Sequence, residues 1–467
     1  MSDPFSSDLS RRRFLALTGA GGAALLLGAC SSGSKSKVAS SLSAQPSPTA
    51  AGSASAVASQ SGAASSSAGG LTYDGPSVTL AFWNGFTGGD EPFIKQVVDQ
   101  FNSANPKINV KMNVYQWADF FQKLPAAVTS GSGPDVAAMH IDDIPTQAAQ
   151  NVIVPIDDVA QALGLSADSF APAVWQGGLY KGKRYGIPLD VHPLVYYYNK
   201  KVLSDAGLDP DKPPTTMDDY MAALDTLKGK GVQGHWMSPF QFTGGFTAQS
   251  LIWQFGGDMF DSQFTKATWD SDAAVQAVTW CVDLVKKGYS PKNVGQDADY
   301  VAFKNNKNAF NWNGIWQIND LAATPGMQWG AMAIPHLGPQ GGAWGNSHQF
   351  VVPRQLHADK NKQDAAKFFI SWLGEHSLEW AKSGKVPAEK SVRDSAEFQQ
   401  LQPEATIAKD LAEVHFPPSV AGIGDALGKF YDAVNQAVLQ KADVASVLKS
   451  SAAQATKIMQ DNAKKYG

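Results

Sequence analysis

Strand-like and helix-like segments alternate along residues 78–140, and few folds accommodate this pattern. Three segments are typical of strands, namely Val78–Trp83, Ile108–Val114 and Asp135–Met139. Between them, residues 91–104 and 117–130 place apolar side chains at helical spacing. This order predicts an α/β fold with a parallel sheet and helices on both of its faces. Ligands of such open sheets bind beyond the carboxyl ends of the strands.

The chain has 467 residues, which is too long for one compact core and suits two lobes. Charged residues make up 17% and hydrophobic residues 43% of the sequence, so neither a disordered chain nor a coiled coil fits the whole. The formal net charge is −4, which does not favour the basic surface that nucleic-acid binding needs.

The first 70 residues are predicted to export and tether the folded part. Arg11–Arg13 precede an apolar run that ends at Ala29, so residues 1–29 are typical of a signal peptide, with a twin-arginine-like start. The segment Leu27–Cys30 resembles a bacterial lipobox, in which Cys30 becomes the lipid-modified first residue. Residues 30–70 are rich in Ser, Ala and Gly and are predicted to form a flexible tether. We therefore expect a lipid anchor on the extracytoplasmic face of a bacterial membrane.

Five short motifs, in a specific order, resemble those of a known family. They are Trp83-Asn84-Gly85-Phe86, Phe101–Pro106, Ser132–Val136, Tyr185–Pro188, and Tyr197–Lys200 with Leu203 and Gly207. Together with the lipobox, they resemble extracellular solute-binding proteins of ATP-binding-cassette importers, in the maltose-binding-protein-like class that takes up carbohydrates. The resemblance extends from about residue 78 to the C-terminus and is strongest up to residue 208.

The resemblance implies a two-lobed, periplasmic-binding-protein-like fold of type II, with the ligand in the cleft between the lobes. Lobe 1 would comprise residues 71–190 and 313–348, and lobe 2 residues 194–310 and 350–467. The chain would cross between lobes near Asp190–Pro193, near Asn311–Trp312 and near Asn346–Phe350. Such proteins close about a hinge when ligand binds.

A sugar needs polar groups for its hydroxyls and aromatic plates for its C–H faces. The polar candidates lie at strand ends and predicted crossings: Asn84, Asp90, Asp142, Asp190, His192, Asn346 and His348. Helix N-capping is an alternative role for Asp90, and a backbone hydrogen bond is one for His192. Asp143 is expected to face solvent.

Twelve of the 13 Trp residues divide into two groups by position. With one Phe, the candidates for the ligand site are Trp83, Trp117, Phe240, Trp253, Trp312, Trp316 and Trp344. Trp253 fits a helix core equally well. The others, expected to pack in the core, are Trp175, Trp269, Trp280, Trp329, Trp372 and Trp380. Cys281 has the pattern of a buried, inert thiol on an amphipathic helix.

The sequence thus predicts a binding protein without catalytic residues or cofactors. No two of the eight His residues have i,i+2 or i,i+4 spacing, and no Cys lies near them, so no metal site is predicted. The expected partners are a carbohydrate, the permease subunits of an importer with its cytoplasmic ATPase, and a membrane through the lipid anchor. The protein is expected to be a monomer.

Three other functions stay open at this point. The same role for a glycerophosphodiester or polyol phosphate would favour a basic residue in the cleft, and none stands out. A secreted glycan-acting enzyme would use paired carboxylates, but no acid is marked as one with a raised pKa. A structural or adhesive surface protein would have no use for a cleft lined by Trp and Asp.

Overall fold

The computed structural model describes residues 71–467. The predicted signal peptide, Cys30 and the tether lie outside the described residues. In the described part, no helix has both the length and the apolar character needed to cross a membrane.

The strands are β1 Val78–Asn84, β2 Ile108–Val114, β3 Val136–His140, β4 Ile153–Val154, β5 Leu179–Tyr180, β6 Lys183–Arg184, β7 Ile187–Pro188, β8 Asp190–Asn199, β9 Phe310–Gly314, β10 Trp329–Ala333, β11 Ala343–Asn346, β12 His348–Pro353, β13 Val386–Pro387 and β14 Val414–His415. The helices are α1 Glu91–Ala104, α2 Trp117–Ser130, α3 Ile144–Ala149, α4 Asp157–Ala162, α5 Pro172–Gly177, α6 Lys200–Asp205, α7 Met217–Gly229, α8 Phe246–Gln254, α9 Asp272–Lys286, α10 Ala298–Lys304, α11 Ile318–Ala322, α12 Lys360–Glu375, α13 Ser377–Ala381, α14 Lys390–Arg393, α15 Ala396–Gln399, α16 Glu404–Ile407, α17 Ile423–Val438 and α18 Val444–Tyr466.

Local sequence explains the first helices. In α1, Pro92 occupies the first turn, where its missing N–H costs nothing, and the buried residues recur at helical spacing up to Phe101. Helix α2 ends at Gly131, whose φ of 78° lies in the left-handed region that glycine adopts without strain. The bounds of α1, β2 and α2 coincide with those predicted.

The first sheet has the strand order β2-β1-β3-β12-β4, with β7 paired to β12. Strand β1 runs parallel to β2 and β3, whereas β12 runs antiparallel to β3, β4 and β7. The prediction of a parallel sheet is therefore confirmed for β1–β3 and wrong for β12, because that strand comes from a distant part of the chain. The α/β class itself is confirmed.

The second sheet is built around the ten-residue strand β8. Its order is β10-β8-β11-β14, and β9 and β13 also pair with β8. The neighbouring residues Tyr196 and Tyr197 of β8 are both fully buried, in different apolar cores. Side chains alternate across a strand, so β8 has a core on each of its faces. The first sheet likewise has two cores, one around Phe82 and the other around Met139.

The chain passes between the two sheets at two adjacent places. It leaves the first sheet at Leu189, between β7 and β8, and returns at Ser347, between β11 and β12. These passages run side by side, because β7 pairs with β12 and β8 pairs with β11. The side chains just before and after Leu189 and Ser347 therefore meet between the sheets.

A third passage spans residues 376–385. It joins α12, whose Phe369 packs in a core of the first sheet, to β13, which pairs with β8. Asn311 and Trp312 lie within β9, which pairs with β8 along its length, so the chain does not change sheet there.

Candidate functional site

Asp190 is the centre of a buried hydrogen-bond network at the passages. Its carboxylate accepts hydrogen bonds from Nδ1 of His192 at 3.0 Å and from Nδ1 of His348 at 2.9 Å. Trp380 Nε1 donates to it at 2.7 Å, and the backbone N–H of His348 donates at 3.1 Å. The side chain is fully buried, and a buried charge is stable only when it is bonded this completely.

These contacts set the charge of the network. Burial by itself would raise the pKa of Asp190, but His348 and the hydrogen bonds from both imidazoles hold that pKa well below its usual range. Burial, with a smaller contribution from His348, lowers the pKa of His192 to about 3. At neutral pH the network therefore consists of a carboxylate bonded to an uncharged His192 imidazole, with the ring proton on Nδ1.

A third imidazole completes the group. His140 ends β3 and is half-buried, with its ring centroid 5.0 Å from that of His348 and 5.5 Å from that of His192. The rings of His192 and His348 stack at 4.0 Å. Burial, followed by His348 and His192, lowers the pKa of His140 well below its ordinary value. One ring nitrogen from each of the three residues lies within 4.8 Å of the others.

Trp117, at the start of α2, forms one aromatic wall of the site. Its ring is nearly parallel to that of His348, with a centroid distance of 5.3 Å and an angle of 17°. It also lies against Gly85, where a Cβ atom would come within 2.1 Å of the indole. The loop after β1 therefore needs a glycine at this position, so that the indole can pack flat on the backbone.

Trp316 and Trp344 form a second aromatic wall, on the side of His192. Their ring centroids lie 5.9 Å and 6.3 Å from that of His192. Trp316 is half-buried and packs on Gly314, where a Cβ atom would meet the indole at 2.1 Å. Trp344 stacks on Phe246 at 3.6 Å with an angle of 6°.

A polar bridge connects the two sheets beside these walls. Asn346, at the end of β11, donates from Nδ2 to Oδ1 of Asp142 at 2.8 Å. Burial raises the pKa of Asp142, and burial together with the Asp142 charge raises that of Asp143 well above its ordinary value. Asp143 is half-buried, so the prediction that it faces solvent is wrong.

Asp90 forms a buried ion pair with Lys385. The Nζ and Oδ2 atoms are 2.6 Å apart, and both side chains are less than 10% exposed. Asp90 also accepts from the backbone N–H of Gly88 at 3.1 Å, and its side chain makes no N-cap bond to α1. Lys385 lies 5.5 Å from the centre of the Trp380 ring, so this cation is neutralised next to the Asp190 network.

The structure brings together many of the residues singled out from the sequence. Contacts connect Trp117, Asp142, Asp190, His192, Trp316, Trp344, Asn346 and His348 around the passages. Asn84 is also buried nearby, and its Nδ2 has no hydrogen-bond partner within residues 71–467. Its Oδ1 accepts from the backbone N–H of Phe86, whose ring lies 4.8 Å from that of His348.

The other four aromatic candidates lie outside this group of contacts. Trp83 packs on Tyr115 with ring centroids 4.8 Å apart, and Phe240 is 37% exposed. Trp253 stacks on His415 at 4.5 Å, and Trp312 stacks on Trp280 at 5.9 Å inside a core of the second sheet.

Sequence reasoning did not select four residues of this site: Phe86, His140, Trp380 and Lys385. The position of His140, at the carboxyl end of β3, was a usable signal. Trp380 was expected in the core and is buried, but its N–H bonds to Asp190. Lys385 follows a stretch of helical pattern, and nothing near it in the sequence indicates its distant partner.

The comparison with protein families decides the class. Residues 96–406 match the family model described as bacterial extracellular solute-binding protein.

The chain belongs to this family of extracellular solute-binding proteins.

Curated relatives agree with the family match. The sn-glycerol-3-phosphate-binding periplasmic protein UgpB of Escherichia coli O6:K15:H31 is 23% identical over 354 residues, which cover 71% of this chain and 79% of the relative. The UgpB protein of Shigella flexneri is 23% identical over 337 residues, covering 68% of this chain and 75% of the relative.

Solved structures show the same two-lobed fold. The GacH receptor of Streptomyces glaucescens, whose structures include an acarbose complex, has a TM-score of 0.75 at 20% identity and covers 83% of this chain and 100% of its own. The cyclic α-maltosyl-1,6-maltose binding protein of Arthrobacter globiformis scores 0.68 at 23% identity, with the same coverage. UgpB of Mycobacterium tuberculosis with glycerophosphocholine scores 0.71 at 19% identity and covers 83% of this chain and 99% of its own. The Arthrobacter neighbour is named as a binding protein and the Streptomyces neighbour as a receptor.

Proposed function

We propose that this protein is the substrate-binding protein of an ATP-binding-cassette importer, and that it captures a sugar or oligosaccharide without chemical conversion. The ligand would bind where the chain passes between the sheets, against the three indoles of Trp117, Trp316 and Trp344. Asn346, Asp142 and the exposed edge of His140 would bind its hydroxyls.

One observation carries this proposal: flat aromatic rings and hydrogen-bonding groups converge at the passages between the two sheets. Trp117 begins a helix beside the first sheet, whereas Trp344 lies on β11 of the second. A sugar presents C–H faces and hydroxyls together, so it matches both kinds of surface. Buried polar groups that bond only to the right ligand also give strong discrimination.

Closure would follow from the same arrangement. A ligand that contacts groups on both sheets stabilises the form in which the sheets lie close, and it shifts the equilibrium by its difference in affinity for the two forms. The backbone next to Leu189 and Ser347 would then act as the hinge. The lobe boundaries given in the sequence analysis remain a prediction, as do the remaining site candidates; within residues 313–348, strands β10 and β11 pair with β8 of the second sheet.

A second candidate ligand is a glycerophosphodiester, because UgpB relatives are named for sn-glycerol-3-phosphate or were solved with glycerophosphocholine. A phosphate group favours an uncompensated Lys or Arg. The cation that lies beside the Asp190 network is Lys385, and Asp90 neutralises it. Arg184 is buried as well, and it donates to the carbonyl oxygens of Gly186 and Trp175. This charge distribution supports the neutral sugar.

Isothermal titration calorimetry of residues 71–467 against mono- and oligosaccharides, glycerol 3-phosphate and glycerophosphocholine tests the proposal. We expect heat of binding from a carbohydrate. Trp316→Ala should weaken it about 10-fold or more, because a stacking contact worth about 1.4 kcal/mol is removed. Trp372→Ala is the matched control, since Trp372 is also half-buried but stacks on His376 away from the site. Binding of the phosphodiester alone would favour the second candidate, and turnover of a glycoside would contradict the proposal of a binding protein.

We further propose that the protein is exported, anchored through lipid on Cys30, and monomeric when it meets its permease. Cys30→Ser should move the protein from the membrane fraction to the soluble fraction of its host. Full retention in the membrane fraction would exclude Cys30 as the anchor. Light scattering of residues 71–467 would test the monomer.

A further inference from the structure

Three histidines that are far apart in the sequence converge in the site. His140 ends β3, His192 lies on β8 and His348 begins β12, and one ring nitrogen of each lies within 4.8 Å of the other two. His192 and His348 are only 2% and 3% exposed, and His140 is half-buried. His140 therefore forms the accessible side of the group.

Asp190 fixes the orientation of two of these rings. The Nδ1 atoms of His192 and His348 both bond to its carboxylate, and the rings stack at 4.0 Å with an angle of 25°. The Nε2 atom of each ring is therefore left free of Asp190. A carboxylate that holds the far nitrogen of an imidazole is the usual outer-shell partner of a metal-binding histidine, since it fixes the tautomer with a lone pair on the other nitrogen.

In the described part of the chain, the remaining ring nitrogens have no protein partner. Within residues 71–467, neither Nε2 atom of this pair and neither ring nitrogen of His140 makes a hydrogen bond to another residue. Since one ring nitrogen of each residue lies within 4.8 Å of the others, ligands from all three imidazoles are available to one small volume beside the aromatic walls. In a tetrahedral site with metal–nitrogen bonds of about 2.0–2.1 Å, neighbouring nitrogens lie about 3.3 Å apart, so modest ring rotations would bring these atoms to that spacing.

We propose that His140, His192 and His348 form a binding site for one divalent transition-metal ion of the zinc class, with Asp190 as the outer-shell carboxylate. Three nitrogen ligands select such an ion over Mg²⁺ or Ca²⁺, which prefer oxygen. The site was not expected from the sequence, because its ligands come from three separate strands and share no short spacing. It requires no particular sugar, so its test is separate from that of the proposed function.

Cobalt binding provides a direct test, because tetrahedral Co²⁺ with nitrogen ligands absorbs visible light. The full chain carrying Cys30→Ser, which removes a thiol that could itself bind cobalt, is stripped with a chelator and titrated with Co²⁺ and, by calorimetry, with Zn²⁺. We expect one equivalent to bind, with visible absorption bands. His140→Gln and His192→Gln should each weaken binding by more than the roughly 10–100-fold that loss of an outer-shell partner costs.

The control variant is His235→Gln. His235 is also buried, but it bonds to the Tyr220 hydroxyl in the second sheet, so this variant should bind Co²⁺ as the parent chain does. His140→Gln keeps the test valid if His192→Gln fails to fold, because no hydrogen bond from the His140 ring to another described residue is lost. Absence of visible bands and of heat from Zn²⁺, or unchanged affinity in His140→Gln, would overturn the proposal. Weak binding that persists in every variant would assign the metal to surface histidines and would overturn it as well.

Discussion

Replacement of Asp190 by Asn should strongly destabilise the protein, although the two side chains have nearly the same shape. The carboxylate accepts from the ring nitrogens of His192, His348 and Trp380, in a fully buried position. An amide keeps one acceptor oxygen and places an NH₂ group where the other stood. At least one of the three donors then faces another donor.

The size of the effect follows from these contacts. A hydrogen bond to a charged group contributes about 1.5–3 kcal/mol, and a buried donor left without a partner costs about 1–3 kcal/mol. The bonds that survive become neutral and weaken by roughly half. We therefore expect Asp190→Asn to lower the free energy of unfolding by about 3–5 kcal/mol, measured by urea unfolding of residues 71–467 at neutral pH.

Asp142→Asn is the matched control. Asp142 is half-buried, and its side chain accepts one side-chain hydrogen bond, from Asn346, which the amide oxygen can keep. Burial also raises the pKa of Asp142, so loss of the charge is well tolerated. The control should change the free energy of unfolding by less than about 1 kcal/mol. If Asp190→Asn were no more destabilising than this control, the Asp190 network would not be the structural centre of the site.

Three further changes test other parts of the structure by urea unfolding. Lys385→Met should lower the free energy of unfolding by about 3–5 kcal/mol, because it leaves the Asp90 carboxylate buried without its cation. Adding Asp90→Asn should recover most of that loss. If the effects of the two changes simply add, the two residues are not a coupled pair. Trp344→Ala should lower the free energy of unfolding by about 3–5 kcal/mol, because it leaves a cavity beside Phe246. A decrease of less than about 1 kcal/mol would contradict the stacking of these two rings. Burial raises the pKa of Asp299 to about 6 from 3.8, so the folded state favours its proton. This stabilisation is fully present below the unfolded pKa of Asp299. As pH rises through about 6 it is lost, and the free energy of unfolding falls by about 3 kcal/mol. Asp299→Asn should remove this decline, and an unchanged pH profile would refute the assignment.

Local patterns predicted the elements that short-range physics determines. The buried residues of α1 recur at helical spacing and those of β2 alternate, so both elements have the bounds expected from the sequence. The direction of β12 was not predictable in this way. Its six residues are all buried, a pattern that fits a parallel or an antiparallel neighbour equally well, and the choice depends on a return of the chain from the second sheet.

The candidate site was predictable to the extent that its residues lie at strand ends. The carboxyl ends of β1 and β3 and the start of β8 were selected for this reason, and the structure places Asp190 and its partners there. Lys385 and Trp380 were not selected, because their contacts with Asp90 and Asp190 join segments almost 300 and 190 positions apart. The three histidines show the same limit, since only the tertiary structure brings their rings together.

A crystal structure of residues 71–467, grown with the oligosaccharide that gives the largest calorimetric signal, tests the central claim most directly. We expect a sugar held between the two sheets, with a ring face on Trp316 and a hydroxyl within hydrogen-bond distance of Asn346 or Asp142. A sugar bound elsewhere on the surface, with the contacts around Leu189 and Ser347 unchanged, would contradict it.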